Sequence, residues 1–331
     1  MIPFTYVRPT EIEGAISAAQ SDRSSFIAGG TGVVDLLQTT TARHELLIDL
    51  NSLDLNSIEV TSDSIIIGAL ARNSAIMIHP AIKEHGSAVS EALSYSATPQ
   101  VRNMATASGN LLQRTRCTYF RHPEFNCNRR VPGSGCPAIE GYNREHAILG
   151  GSSACIAVHP SDMAVAMVAL DAVVRIRGTN GDAVGTLRDR IVPVAELHRL
   201  PEDTPERETV LEQGELITAV EIPLSNLGKG SRYFKVPMGG FSLASVGVAW
   251  EVENEVIKDV RIALGGVATK PWRSHEAEAV LRGSSLTEAT FEAAAKAAVQ
   301  NAVTYQHNYF KVELIQRTIV LALKTMAEGE R

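Results

Sequence analysis

The chain has no apolar run that could cross a bilayer. Its longest, Met163 to Val174, is broken by Asp171 and falls short of the roughly 20 residues a spanning helix requires. A secretory leader is also missing, because MIPFTYVRPTEIEGA has no basic segment leading into an apolar core. The cytoplasm is therefore the default compartment, without membrane insertion. Positive charge is in deficit, 31 Lys and Arg against 37 Asp and Glu, for a net charge of -6. That balance argues against nucleic acid as a partner. No internal repeat or low-complexity tract is found. With 331 residues, 44% of them hydrophobic, there is material for two or three packing units.

Cysteine is scarce as well, and no CxxC pair occurs. All four cysteines, Cys117, Cys127, Cys136 and Cys155, fall within 39 residues. A chain this long needs no disulfide staple, and a reducing cytoplasm favours metal ligation over disulfides. Four cysteinates suit one [4Fe–4S] or [2Fe–2S] cluster, or one structural zinc. Zinc sites usually use CxxC, because two thiolates on one tight turn bite a single ion. Here the gaps are nine, eight and eighteen residues, in a loop rich in Pro and Gly. Four ligands on separate turns favour a cubane, with zinc the minority option. Arg114, Arg116, Arg121, Arg129, Arg130 and Arg144 crowd the stretch and would offset thiolate charge. They could equally coat a surface.

The pattern predicts a small α/β unit first, with a helix from about Pro9 to Ser21 and strands at Ser25 to Ala28 and Glu45 to Leu50. A second α/β unit has strands at Ser57 to Val60 and Ser64 to Ile67, then helices near Ser74 to His85 and Ser87 to Ser96. The cysteine loop interrupts it. Ser161 then caps a helix from Asp162 to Asp171, followed by a strand at Ala172 to Gly178 and a turn at Asn180–Gly181. Leu216 to Ile222 is a further strand. Beyond a linker at 226–230, an antiparallel meander is expected over Ser245 to Leu264, turning at Glu253–Asn254. Helices at His275 to Leu281, Glu288 to Asn301 and about Tyr309 to Met326 close the chain, the first stopping at Gly283.

Two glycine-bearing segments point to a bound anion. AGGTG, residues 28–32, follows a strand, and its glycines let backbone N–H groups converge on a pyrophosphate. It is neither the GxGxxG fingerprint nor a P-loop, and a plain strand-ending turn would read the same way. ATASGNLLQRTRC, residues 105–117, could supply a second wall for a dinucleotide.

Taken in order, AGGTGVVDLL, SATPQVRNMATASGNLLQRTRC, HPSDMAVAMVALDA, GELITAVEIP, RYFKV and DVRIALGGVATKPWRSHEAEAVLRG resemble a known family. It is the FAD-binding medium subunit of the xanthine dehydrogenase and carbon monoxide dehydrogenase family of molybdenum hydroxylases. The cysteine-bearing insert looks like the branch found in bacterial three-subunit aldehyde oxidoreductases, whose FAD subunit also carries a [4Fe–4S] cluster. Benzoyl-CoA reductase relatives have a cluster-bearing insert here too. The resemblance implies an α+β fold: a two-subdomain FAD-binding domain of the vanillyl-alcohol-oxidase type over 1–225, then a C-terminal antiparallel sheet with helices over 226–331. Subdomains of about 1–55 and 56–225, with a cluster-binding insert at 114–158, are expected.

It further implies that Ile27, Ala28, Gly29, Gly30, Thr31, Gly32, Val33 and Val34 hold the pyrophosphate through backbone amides. Thr106, Gly109 and Asn110 would form the second wall, with Ser96 and Ala97 lining the cofactor. Asp162 would hydrogen-bond FAD, and Ile217 and Lys235 would lie near the isoalloxazine. Implied partners are a molybdopterin-binding large subunit and a [2Fe–2S] small subunit, one of which could carry the chain to the periplasm. The expected role is electron transfer, with substrate oxidised in a partner. Stand-alone flavin oxidase and zinc-stabilised nucleotide-binding module are the rivals. Two departures stand out. Ser108 replaces the family's second glycine, and its hydroxyl could still reach a phosphate. No arginine follows Lys235 until Arg261.

Overall fold

The computed structural model describes residues 1–179, 187–224 and 230–329. The Asn180–Gly181 turn and nearly all of the 226–230 linker lie outside the described residues.

Three sheets organise the chain. β1 (Thr5–Val7), β3 (Leu46–Asp49) and β2 (Ser24–Ile27) form a parallel sheet in that order. Helices Ile12–Ala18 and Val33–Gln38 provide the crossovers that parallel strands need. Ala15, Ile16, Ile48 and Leu50 fill the core beneath them. The strand β1 and the shorter span of the first helix depart from the expected pattern.

The second sheet is antiparallel, ordered β4 (Ile58–Val60), β5 (Ser64–Gly68), β8 (Leu216–Pro223), β6 (Val173–Thr179) and β7 (Leu187–Pro193). Helices Asn73–Ile78, Pro80–His85 and Ser87–Tyr95 cover one face. The run expected as one helix over Ser74 to His85 is two. Pro80 forces His79 out of the helical region to ψ 128°, because its ring crowds the preceding residue.

The third sheet is a meander, β12 (Trp272–Arg273), β11 (Val256–Gly265), β10 (Phe241–Glu253) and β9 (Arg232–Met238). Asn254 and Glu255, both at positive φ, make the two-residue turn between β10 and β11. Helices His275–Leu281, Glu288–Ala297 and Phe310–Gly329 bury Ile315, Ile319 and Leu323 with Phe291 against β10 and β11.

Helix Asp162–Ala169 lies between the second and third sheets, and all eight of its residues are buried. The sequence DMAVAMVA is apolar all round after its first residue, as such a position requires. Gly265 allows the close approach: a Cβ there would sit 2.6 Å from Val165 Cγ2. Ser161 caps this helix as expected, its Oγ accepting from Ala164 N at 3.0 Å. The helix N-terminus, and with it Asp162, is held against the third sheet by Tyr233, Lys235 and Ser242. Among the described residues no helix is long and apolar enough to cross a membrane.

Candidate cofactor groove and cysteine cavity

A groove runs between the first and second sheets. One stretch, about 280 Å3, is lined by Ala28 to Val33, Thr106, Gly109 and, from β8, Ile217. It continues into a second stretch of about 300 Å3, lined by Ser96, Ala97, Asn110, Asp162 and Phe241. Thr31, Gly32, Gly109 and Gln113 belong to both stretches.

The loop after β2 is built to present amides. Among the described residues, the N–H groups of Gly29, Gly30, Thr31, Gly32 and Val33 have no intramolecular acceptor, whereas Val34 N donates to Gly30 O at 3.1 Å. Five adjacent unpaired amides form a nest suited to an anion. The expectation for Val34 is thereby corrected: its amide is already used in the first helical turn. Ile27 is set back as well, in β2, where its carbonyl accepts from Leu50 N at 2.9 Å.

Gly30 takes φ +72°, a left-handed conformation that glycine adopts without strain. Gly29 is needed for a different reason: a Cβ there would lie 1.8 Å from Met104 O. Asn51 steadies the loop, its Nδ2 donating to Ala28 O at 2.9 Å and to Asp49 Oδ1 at 2.6 Å. Arg72 in turn donates to Asn51 Oδ1 at 3.0 Å. Neither Asn51 nor Arg72 stood out in the sequence; the polar residues Asp49 and Asn51 at the end of β3 were the available signal.

The second wall is more self-contained. Thr106 caps helix Ala107–Leu111, and its Oγ1 accepts from Gly109 N at 3.3 Å. Ser108 does not offer its hydroxyl to a phosphate; Oγ donates to Ala69 O at 3.0 Å, which corrects that expectation. Asn110 Oδ1 accepts from Ser161 Oγ at 2.6 Å and so links this wall to the cap of helix Asp162–Ala169. Ala97 takes φ +52°, and Arg102 Nη1 donates to the carbonyls of Ser96 and Ala97 at 2.9 Å each.

Asp162 faces the groove but is heavily engaged. Oδ2 accepts from Lys235 Nζ at 2.8 Å, and Oδ1 from Tyr233 Oη at 2.6 Å and from Ser242 Oγ. Lys235 does not line the groove. Its Nζ also donates to Tyr95 O at 3.1 Å and Gly240 O at 3.2 Å, so its three hydrogens are committed. Burial, then the Asp162 charge, pushes the Tyr233 phenol well above its ordinary value.

Cys117, Cys127, Cys136 and Cys155 all line one small cavity in the insert. Fully buried Phe120 packs there with Leu36, Ala42, Cys117 and Cys127. Asp35 pairs with Arg116 at 3.3 Å and with Arg121, which pins the insert to helix Val33–Gln38. Burial pushes the Cys117 thiol up to about 12 and raises Cys136 too. Two side chains reach the sulfurs: His146 Nε2, which the sequence did not single out, lies 3.1 Å from Cys117 Sγ, and Nε of Arg129, one of the arginines expected to offset thiolate charge, lies 3.2 Å from Cys155 Sγ. Among the described residues, no three His, Cys, Asp or Glu side chains gather closely enough for a single metal ion. A further cavity of about 50 Å3, bounded by Arg116, Cys117, His146, Asp162 and Phe241, lies between the cysteines and the groove.

A long groove with a nest of amides on one wall fits a dinucleotide cofactor, and the comparisons place the fold around it among flavoproteins. Residues 2–225 match the FAD binding domain in molybdopterin dehydrogenase, and residues 232–320 match the CO dehydrogenase flavoprotein C-terminal domain. The chain belongs to this family of FAD-binding oxidoreductase subunits. It is 42% identical over 327 residues to the aldehyde oxidoreductase FAD-binding subunit PaoB of Escherichia coli K12, covering 98% of each chain. It is 27% identical to the nicotine 6-hydroxylase medium subunit of Paenarthrobacter nicotinovorans, over 96% of each. Among solved structures, carbon monoxide dehydrogenase from Hydrogenophaga pseudoflava matches with a TM-score of 0.75 at 23% identity, over 98% of each chain. Quinoline 2-oxidoreductase from Pseudomonas putida 86 matches at 0.74 and 20% identity, over 99% of this chain and 98% of that one. These two show the shared fold.

Proposed function

We propose that the chain is the electron-transfer subunit of an aldehyde-oxidising molybdenum hydroxylase, with FAD in the groove and a [4Fe–4S] cluster in the cysteine cavity. Bound FAD supplies exchange between one- and two-electron carriers, while the protein positions and tunes it. The amides of Gly29 to Val33 hold the pyrophosphate, and Thr106, Gly109 and Asn110 form the facing wall. Ile217 lines the stretch with the amides; Ser96, Ala97 and Asp162 line the other. A molybdopterin-binding large subunit oxidises the substrate, and a [2Fe–2S] small subunit delivers the electrons, which leave for an external acceptor. Likeness to the E. coli aldehyde oxidoreductase subunit over 98% of both chains supports the aldehyde class.

One observation carries the two-cofactor reading: Cys117 and His146 belong both to the cysteine cavity and to the small cavity that reaches Asp162 and Phe241 at the groove. The cluster is favoured over zinc because the donors surround a cavity and do not converge on one point. A bound cation would deprotonate thiols that burial otherwise keeps neutral.

The test has two arms. Anaerobically purified chain should contain iron without stoichiometric zinc and show flavin bands over broad iron–sulfur absorption. The co-expressed complex should oxidise aldehydes with a dye acceptor while the chain alone does not. Turnover by the isolated chain at the rate of the complex would overturn the subunit reading.

A further inference from the structure

Arg129 is the one guanidinium among the described residues that reaches a cysteine sulfur, and it does so from inside the protein, with its side chain 7% exposed. Nε points at Cys155 Sγ at 3.2 Å, while Nη1 lies 2.9 Å from Glu208 Oε2. The other oxygen of that carboxylate accepts from Arg114 Nε at 2.7 Å. Arg114 lies over the Phe120 ring at 4.5 Å and lines the groove. One carboxylate thus fixes two arginines, one against a cysteine and one in the groove wall. A guanidinium does not deprotonate in a protein, so Arg129 is a fixed cation, and Glu208 pairs with it directly.

We propose that Arg129 is a positioning residue that sets the reduction potential of the cluster, by aiming a charged N–H at Cys155 from a guanidinium that Glu208 holds in place. The inference rests on the cluster reading above. Reduction adds one negative charge to the cluster, and a fixed cation donating to a ligand sulfur stabilises the reduced state more than the oxidised one. Burial makes the interaction strong because little water screens it. Cys127 and Cys136 have no charged donor among the described residues, so the effect is concentrated at Cys155. A purely architectural Arg129 would hold the loop to Glu208 without moving the potential.

The experiment compares wild-type, Arg129→Met and Arg129→Lys proteins in the co-expressed complex, by iron content and by redox titration followed with electron paramagnetic resonance. With iron retained, Arg129→Met should raise the oxidised-to-reduced ratio at a fixed potential at least tenfold, about 59 mV downward for a one-electron couple. Arg129→Lys, which keeps the charge but loses the aimed fork, should shift the same way by less. Full iron with an unchanged potential in Arg129→Met overturns the proposal. If Arg129→Met loses its iron, an unchanged potential in Arg129→Lys overturns it. Wild-type complex with no iron beyond that of its [2Fe–2S] centres would instead sink the cluster reading on which the proposal depends.

Discussion

Lys235 Nζ and Asp162 Oδ2 form an ion pair at 2.8 Å, each side chain only 4% exposed, that ties β9 to the N-terminus of helix Asp162–Ala169. It joins the C-terminal sheet to the floor of the groove. Such a pair is retained only if both members stay, because one charge left alone in the interior is costly.

Lys235→Met should therefore destabilise the protein by about 3–5 kcal/mol. The double variant Lys235→Met with Asp162→Asn should lose less than the sum of the two single changes, since neither charge is then stranded. Denaturant midpoints with unchanged slopes provide the check. Strict additivity would show that the two side chains do not act as a pair.

The glycines of the AGGTG loop should separate into two classes. Gly29→Ala drives a methyl into the Met104 carbonyl and should cost about 1–3 kcal/mol or more in stability. Gly32→Ala meets no protein atom within 4 Å, and Gly32 lines both stretches of the groove proposed for FAD, so stability should hold while flavin content falls. Flavin absorbance per protein, together with melting curves, distinguishes them. Full flavin occupancy in Gly32→Ala would move the pyrophosphate elsewhere.

Lys311 makes stability depend on pH. It is fully buried, Nζ donating to Glu145 O at 2.8 Å and Gly266 O at 2.7 Å, and burial lowers its pKa from 10.5 to about 7. Between those values the unfolded chain holds a proton that the folded chain has released, so this group makes stability rise with pH from about 7 towards 10.5. Lys311→Met should flatten that rise between pH 7.5 and 9.5. Parallel slopes for wild type and variant would remove Lys311 as the source.

On the proposed cluster reading, replacing any one cysteine should lower bound iron and loosen the insert, because binding a cluster contributes to folding of the segment that holds it. Cys155→Ser is the sharpest choice, as it also strips Arg129 of its sulfur partner. Colorimetric iron, with flavin content as the internal control, reads the outcome. Iron at the wild-type level would exclude Cys155 from the ligand set.

The sequence made visible what depends on neighbours along the chain. AGGTG after a strand, the Ser161 cap and the four clustered cysteines needed only local spacing. Contacts between distant positions were hidden. Asp162 and Lys235 are 73 residues apart, and nothing local to either distinguishes an engaged charge from a solvated one. Ser108 looked free for a ligand until Ala69, 39 residues away, claimed its hydroxyl. The break at Pro80 was legible but was outweighed by the apolar periodicity on both sides. β1 was too short, at three residues, to register as a period.

The unpaired amides of Gly29 to Val33 have a consequence for the life of the protein in the cell. Until an anion occupies them, those amides have no partner within the chain, and a ligand that binds only the folded state adds to the stability of the whole chain. At a hundredfold excess over its dissociation constant, a ligand contributes about 2.7 kcal/mol. Differences of that size change how much of a protein survives proteolytic surveillance. The steady-state amount of this subunit should therefore follow flavin supply, falling in flavin-starved cells at constant synthesis.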